Sequence, residues 1–342
     1  MCQIAVSRIK ELLLMEPRFI YTVETGFNYQ IKYNFQDMKT LLFTCILLFV
    51  CFGCSGTEKK EMKASEIVKT VKKGKPVLIV NRIIFDDLDL TTAGKPFVRN
   101  ANMLQVEIPS NIYFDGCVFL GKVTSNGKHG NRSVQSCFRN NLSFVGCDFR
   151  GDVDFDGATV FGAVNFGRSV FRENASFTDM TVWAKDSYFS EMKAEKNFLM
   201  VNSFFAGSLH FTDAAFDRLA SFQETSVRGK LVFNNGVFAE RAGFDLMEVY
   251  GSAFFNYVKF DGTADFSNTR FMYAVNFVKT VFNAQASFEK AMFMHSVHFE
   301  EVDHSRLNLT DVRIIQLSND GILNSDDGTV IERTRNILPS NN

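Results

Sequence analysis

The chain has 342 residues, of which 38 are phenylalanine, and its 37 basic and 38 acidic side chains give a formal net charge of −1. This balance argues against a broad basic surface for nucleic acid and equally against a strongly acidic mimic of it. The charges are uneven, because residues 54–143 carry 14 basic and 8 acidic side chains, whereas residues 144–310 carry 15 and 21. The basic end fits either a segment near anionic lipid head groups or a solvated linker.

Residues 38–54 resemble a bacterial lipoprotein signal. Their sequence is MKTLLFTCILLFVCFGC, a short basic start and an apolar run before a cysteine. The run is shorter than the roughly 20 residues of a transmembrane helix and has the length of a signal-peptide core. Cleavage is expected before Cys54, which would carry the lipid, although Cys51 and Phe52 depart from the usual motif. A plain membrane-tethering segment is the alternative, and residues 1–37 are predicted to be a mis-assigned leader.

Residues 54–75 are predicted to form a tether and a capping helix. Residues 55–64 are polar, and Ser65 opens a short pattern with helical spacing that ends before Gly74. The apolar residues of this pattern are Ile67, Val68 and Val71. Such a helix could cover the open end of a repeat structure.

Phenylalanine then recurs every eleven residues. The positions are Phe211, Phe222, Phe233, Phe244, Phe255, Phe266, Phe277, Phe288 and Phe299. A second apolar ladder follows five residues behind, at Phe216, Val227, Phe238, Val249, Phe260, Phe271, Phe282 and Phe293. Alternating steps of five and six fit neither the period of a helix nor that of a flat strand. They predict a solenoid, in which every ladder residue stacks on its counterpart in the next coil.

The residues around each ladder position follow a short local pattern. A small residue stands two positions before phenylalanine and a short polar residue directly before it, as at 264–266, 275–277 and 286–288. This pattern resembles the pentapeptide-repeat family. The resemblance covers roughly residues 110–310 and implies an all-β, right-handed quadrilateral β-helix. Because every second step here is six residues, each coil is predicted to hold about 22 residues, with the extra residue at alternate corners. The β-helix is assigned to residues 76–312.

Three segments depart from the ladder. Residues 122–136 are rich in glycine, asparagine, serine and basic residues and are predicted to leave the solenoid as a loop. The ladder also gains one residue before Trp183 and Phe189. Residues 313–342 are predicted to form a carboxy-terminal cap, with hairpin turns at 319–321 and 326–328.

The sequence gives little sign of catalysis. On the predicted lattice His298 faces outward, His304 replaces an inward residue and His295 lies two positions past a ladder phenylalanine. The three do not converge, so no metal site is expected, and no cofactor motif is present. Cys117 and Cys147 each stand two before a ladder phenylalanine and are interpreted as small core residues. A disulfide between them is permitted in an exported protein but is not implied by their spacing.

These patterns predict a non-enzymatic cell-envelope lipoprotein, anchored through Cys54 and expected in the outer membrane, whose rod is a scaffold or protein-interaction surface. Its partner would be an envelope protein or a glycan, and no nucleic acid is expected. One alternative is a DNA-mimicking, topoisomerase-binding pentapeptide-repeat protein, which would need a cytoplasmic location and a strongly acidic face. A second alternative is a β-helical polysaccharide-binding or polysaccharide-active protein.

The candidate partner surface is a column of apolar residues spaced one coil apart. Tyr250, Met272 and Met294 each follow an inward ladder residue, and Tyr273 and His295 form the next column. Large exposed apolar patches tend to mark contacts. The alternative is that the carboxy-terminal tail packs over these residues.

Overall fold

The computed structural model describes residues 59–315. The predicted leader, the lipoprotein signal, the lipidation site Cys54 and the carboxy-terminal hairpin turns all lie outside the described residues. Among residues 59–315, no helix combines the length and apolar character needed to cross a bilayer.

Four sheets, built from 42 short strands, wrap the described chain into a solenoid. Successive strands turn from one sheet to the next, and we number the sheets faces 1 to 4 in the order in which a coil visits them. Residues one coil apart pair in parallel, for example Val275 with Val297 on face 1 and Ala264 with Ala286 on face 3. Both pairs are 22 residues apart, so the predicted all-β quadrilateral β-helix with 22-residue coils is confirmed.

Face 1 consists of β2 (Val77–Val80), β7 (Ile112–Asp115), β12 (Leu142–Val145), β16 (Val164–Asn165), β20 (Asp186–Tyr188), β24 (Ser208–His210), β28 (Leu231–Val232), β32 (Ala253–Phe254), β36 (Val275–Asn276) and β40 (Val297–His298). Face 2 consists of β1 (Lys60–Met62), β3 (Arg82–Ile84), β8 (Val118–Phe119), β13 (Asp148–Phe149), β17 (Val170–Phe171), β21 (Lys193–Ala194), β25 (Ala215–Phe216), β29 (Val237–Phe238), β33 (Lys259–Phe260) and β37 (Val281–Phe282).

Face 3 consists of β4 (Leu88–Asp89), β9 (Val123–Thr124), β14 (Val153–Asp154), β18 (Ala175–Ser176), β22 (Phe198–Leu199), β26 (Ala220–Ser221), β30 (Ala242–Gly243), β34 (Ala264–Asp265), β38 (Ala286–Ser287) and β41 (Leu307–Asn308). Face 4 consists of β5 (Pro96–Asn100), β6 (Met103–Ile108), β10 (Asn126–His129), β11 (Arg132–Phe138), β15 (Thr159–Val160), β19 (Thr181–Val182), β23 (Phe204–Phe205), β27 (Ser226–Val227), β31 (Glu248–Val249), β35 (Arg270–Phe271), β39 (Met292–Phe293) and β42 (Arg313–Ile314).

The two sequence ladders line the inside of the solenoid. The eleven-residue ladder alternates between faces 1 and 3, and the second ladder alternates between faces 2 and 4. Phe266 shows the packing, because its ring stacks on Phe244 at 4.6 Å and on Phe288 at 4.7 Å between centroids. It also meets Phe255 of the opposite face edge-on at 5.4 Å and 90°. Stacked and edge-to-face contacts are the two favoured geometries of aromatic pairs.

The corners are of two kinds, which explains the alternating five- and six-residue steps. After faces 1 and 3 the second residue past the ladder position adopts a positive φ, for example Leu246 at 59° and Tyr257 at 58°. After faces 2 and 4 the corner is one residue longer, as at 217–219, between the inward residues Phe216 and Ala220. The predicted extra residue therefore lies at these two corners.

A helix, α1 (Ala64–Lys72), covers the amino-terminal end of the solenoid. It buries Ala64, Ile67 and Val71 in the continuous apolar core, as expected for a capping helix. The carboxylate of Asp86 accepts a hydrogen bond from the Ala64 N–H at 2.7 Å, so a residue from a coil corner caps the helix instead of Ser65. Short 3-10 turns occur at Leu90–Thr92 and His304–Arg306.

The structure differs from the sequence predictions in three places. Residues 60–62 of the predicted tether form β1, which pairs with β3 and starts face 2. The loop prediction for 122–136 is wrong: β10 and β11 form an antiparallel hairpin, and β11 also pairs in parallel with β6. The backbone groups of this polar segment are thereby satisfied within a sheet. The extra residue follows Trp183 instead of preceding it, because Val182 is the inward residue.

Candidate interaction surface

The predicted surface residues lie where face 4 turns into face 1. Tyr250, Met272 and Met294 each follow the inward residue of a face-4 strand in three successive coils, and all three are half-buried. Tyr273 and His295, one residue further on, are exposed. The structure thus aligns the predicted column along the rod. Whether the tail packs over it concerns residues 316–342, which lie outside the described range.

The same column continues towards the amino terminus through residues that the sequence interpretation missed. Phe161 is 43% exposed and Trp183 is 53% exposed, and both follow a face-4 inward residue as Tyr250 does. Trp183 packs against Phe204 with ring centroids 5.4 Å apart. Counting back from Tyr250 in steps of 22 residues gives Arg228 and then Ala206. The next step is 23 residues because of the inserted residue, so the sequence pattern does not reveal that Trp183 and Phe161 continue the column.

Arg228 joins the rings of neighbouring coils. Its guanidinium carbon lies 3.7 Å from the Tyr250 ring centroid and 5.9 Å from the Phe204 ring centroid. Arg139 lies 4.9 Å over Phe161 at the amino-terminal end of the column and, unlike Arg228, also forms an ion pair with Glu107. A guanidinium over an aromatic face is stabilised by the ring quadrupole. The column is therefore a ladder of rings and guanidinium groups running along the rod.

We call the corner between faces 4 and 1 the aromatic corner; it comprises residues 161–163, 183–186, 206–208, 228–230, 250–252, 272–274 and 294–296. The corner between faces 2 and 3 has the same backbone role, and we call it the ionic corner; it comprises residues 150–152, 172–174, 195–197, 217–219, 239–241, 261–263 and 283–285. The aromatic corner carries four aromatic residues, three cations and one carboxylate. The ionic corner carries no aromatic residue, five cations and six carboxylates. Equivalent positions in the fold thus have opposite chemistry.

Most charges of the ionic corner form ion pairs with one another or with neighbouring residues. Arg172 contacts Asp148 at 2.6 Å and Glu195 at 3.5 Å, and Arg218 contacts Glu240. Exposed pairs of this kind contribute little stability each. They neutralise most of the charge of the corner, although Asp152, Glu173 and Lys196 form no ion pair within residues 59–315. Positive and negative side chains are interspersed along this corner, as on an ordinary solvated protein surface.

The cations of the aromatic corner are not neutralised in this way. None of Lys185, Arg228 and Lys230 forms an ion pair with any residue between 59 and 315. The single carboxylate there, Asp186, lies 3.6 Å from the imidazole of His210. On a rod whose residues 144–310 are acidic overall, this corner is a locally basic and aromatic strip.

No arrangement of catalytic groups was found among the described residues. His295 and His298 both contact the Ser296 hydroxyl, and residues 59–315 contain no group of three or more potential metal ligands. Cys117 and Cys147 are buried inward residues of adjacent coils with free thiols. The neighbouring Cys147 thiol lowers the pKa of Cys117, whereas the Cys117 thiol together with burial raises the pKa of Cys147.

A four-sided solenoid with a stacked phenylalanine core defines a repeat scaffold, a structural fold that is typically non-enzymatic. The family model described as pentapeptide repeats (9 copies) matches this chain at residues 244–292 and 255–303. The same register continues through the coils outside the matched residues. Residues 244–303 therefore consist of pentapeptide repeats. Neither the curated proteins nor the solved structures contain a significant match to it.

Proposed function

We propose that this protein is a non-enzymatic, lipid-anchored scaffold of the bacterial cell envelope, and that its rod binds an envelope partner along the aromatic corner. The observation that carries the binding surface is the contrast between the two equivalent corners. The fold needs only inward apolar residues and tight turns, so it does not require rings at one corner and ion pairs at the other. Tryptophan, tyrosine and arginine are also the residues that dominate binding energy in interfaces.

The rod suits a scaffold because its surface residues are held on a rigid lattice. Each coil hydrogen-bonds to the next, for example through the Phe266 N–H to the Ser287 carbonyl at 2.7 Å, and ladder rings such as Phe266 pack against rings in both neighbouring coils. Side chains on such a frame lose little further freedom when a partner binds. A DNA-mimicking role is less well supported, since Glu195 and Glu240 of the ionic corner are paired with arginines.

The binding surface is tested by charge substitution at Met272 and Tyr273. We expect Met272→Glu with Tyr273→Glu to abolish recovery of a crosslinked envelope partner while the melting temperature stays unchanged. Arg218→Glu in the ionic corner is the matched control and should leave recovery intact. A large fall in melting temperature for the double variant would mean that the protein itself covers the corner.

The anchor is tested separately. We expect the mature protein to begin at a lipidated Cys54, and Cys54→Ser to move it from the membrane fraction to the soluble fraction of the envelope. Mass spectrometry of the amino-terminal peptide gives the answer. An unprocessed chain that begins at Met1 would refute the lipoprotein assignment.

A further inference from the structure

The aromatic corner is a one-dimensional surface whose chemistry repeats from coil to coil. Its seven segments lie on successive coils, which are about 4.8 Å apart along the rod. Aromatic rings stand at Phe161, Trp183, Tyr250 and Tyr273, so they mark most of its length. A globular partner has no matching translational repeat, whereas a linear polymer does. The geometry therefore favours an extended chain that lies parallel to the rod axis.

The cations of the aromatic corner indicate that the bound polymer is negatively charged. Lys185 is two coils before Lys230, and Arg228 lies beside Lys230, so the positive charges are sparse but aligned. Because none is paired with a carboxylate of the described residues, each is available to an anionic ligand. Arginine stacked by its face on Tyr250 at 3.7 Å keeps the N–H donors at its edge free for a carboxylate.

Small residues occupy part of the corner between the rings. Gly207, Gly229 and Gly251 occupy the middle position of three successive coils, and a Cβ at any of them would lie within 2.5 Å of the preceding coil's backbone. Ser208, Lys230 and Ser252 follow them and are exposed or half-buried. The glycines are therefore required for the coils to stack at this corner, and the Ser208 and Ser252 hydroxyls beside them can contact the hydroxyls of a sugar chain.

From these observations we propose that the aromatic corner binds a linear acidic polysaccharide, with sugar faces against the rings and carboxylates on Arg228, Lys185 and Lys230. The inference rests on the proposed function, since it names the partner of the same surface. Aromatic rings accept the apolar faces of ligands, and carboxylates form charge-assisted hydrogen bonds with arginine. A nucleic acid fits less well, because its denser phosphates would also lie against a rod that is acidic overall.

The test is affinity electrophoresis of the full mature chain in detergent, through gels containing polygalacturonate. We expect retardation that weakens with salt. Trp183→Ala and Arg228→Gln should each weaken binding by about tenfold. Arg218→Gln in the ionic corner removes the same charge and should have no effect. Circular dichroism melting confirms that all three variants are folded.

Three further gels identify the class of ligand. Dextran supplies neutral sugars, polyglutamate supplies carboxylates without sugar rings, and a thymidine oligonucleotide supplies phosphates and bases. We expect weak or no retardation in all three. The proposal is overturned if polygalacturonate does not retard the protein, if Arg218→Gln weakens binding as much as Arg228→Gln, or if any of the three probes binds equally well. Loss of the crosslinked partner in the Met272 and Tyr273 variant would then still support the scaffold function, so the two failures are distinguishable.

Discussion

Phe266 illustrates how much each inward ring contributes to the rod. It is fully buried, and its ring lies between those of Phe244 and Phe288 and against Phe255. We expect Phe266→Ala to lower the free energy of unfolding by about 3–5 kcal/mol, because the coils above and below cannot close the cavity. Asp265→Ala, one residue earlier and facing outward, should cost less than about 1 kcal/mol. Denaturant titration of both variants measures these free energies of unfolding. Equal and small losses at the two positions would contradict the assignment of Phe266 to the interior.

Leu246 has a strained backbone conformation. Its φ of 59° lies in the left-handed region, which is unfavourable for a residue with a Cβ. Two variants separate the effect of the strain from the effect of losing the exposed side chain. Glycine and alanine both remove the leucine side chain, but only glycine relieves the strain. We expect Leu246→Gly to be about 1 kcal/mol more stable than Leu246→Ala in thermal or denaturant unfolding. A more stable alanine variant would show that this corner tolerates the left-handed conformation without cost.

Asp156 gives the rod a specific pH dependence. Burial, with a smaller contribution from Asp154, raises the pKa of Asp156, although Ser176 and the Thr178 N–H donate hydrogen bonds to it. A carboxyl whose folded pKa lies above its unfolded pKa destabilises the ionised fold, and this penalty is relieved as the pH falls through the folded pKa. We expect Asp156→Asn to be more stable than the wild type at pH 7. The difference should shrink in acid, which urea titrations at several pH values would detect.

At the scale of elements, α1 closes the core at the amino-terminal end. Ile67 is fully buried against the first coils, whereas Lys69 on the same helix is exposed. We expect Ile67→Glu to detach the helix and uncover the strand edges of the first coil, so that the protein associates. Lys69→Glu is the control and should remain monodisperse in light scattering. A monodisperse, fully stable Ile67→Glu variant would mean that the cap is dispensable.

The elements that the sequence predicted are those with local, repeated signals. The spacing of Phe255, Phe266 and Phe277 is enough to place strands on two faces and a ring core between them. The hairpin of β10 and β11 was missed because its polar residues suggest a loop, while its pairing with β6 is non-local. Trp183 and Arg228 were missed for a different reason. An inserted residue interrupts the 22-residue register at Trp183. Arg228 has no distinguishing sequence signal, and only the structure shows that it stacks on Tyr250.

At the scale of the whole molecule, the eleven-residue ladder makes half a coil nearly equivalent to the other half. Deleting residues 231–252 removes one coil and keeps every strand on its own face, because Leu231 and Ala253 are register partners. Deleting residues 231–241 removes half a coil and should also fold, since the inward ladder stays in phase. We expect both deletions to melt cooperatively, the shorter one to abolish polygalacturonate binding, and the longer one only to weaken it, because Tyr250 is removed with its coil. The shorter deletion would place Asp261 of the ionic corner above Arg228 and so interrupt the strip.

The residue inserted beyond Trp183 shows what the rod can absorb. The paired residues are 23 apart across this coil, yet the next strands return to a spacing of 22 with their faces unchanged. A single insertion at a corner is therefore accommodated locally, whereas an insertion of eleven would turn the whole upper rod by half a revolution. The coils can therefore be joined in two rotational registers that differ by half a revolution. The length of the rod can evolve in small steps, but a continuous binding track survives only when whole revolutions are added or removed.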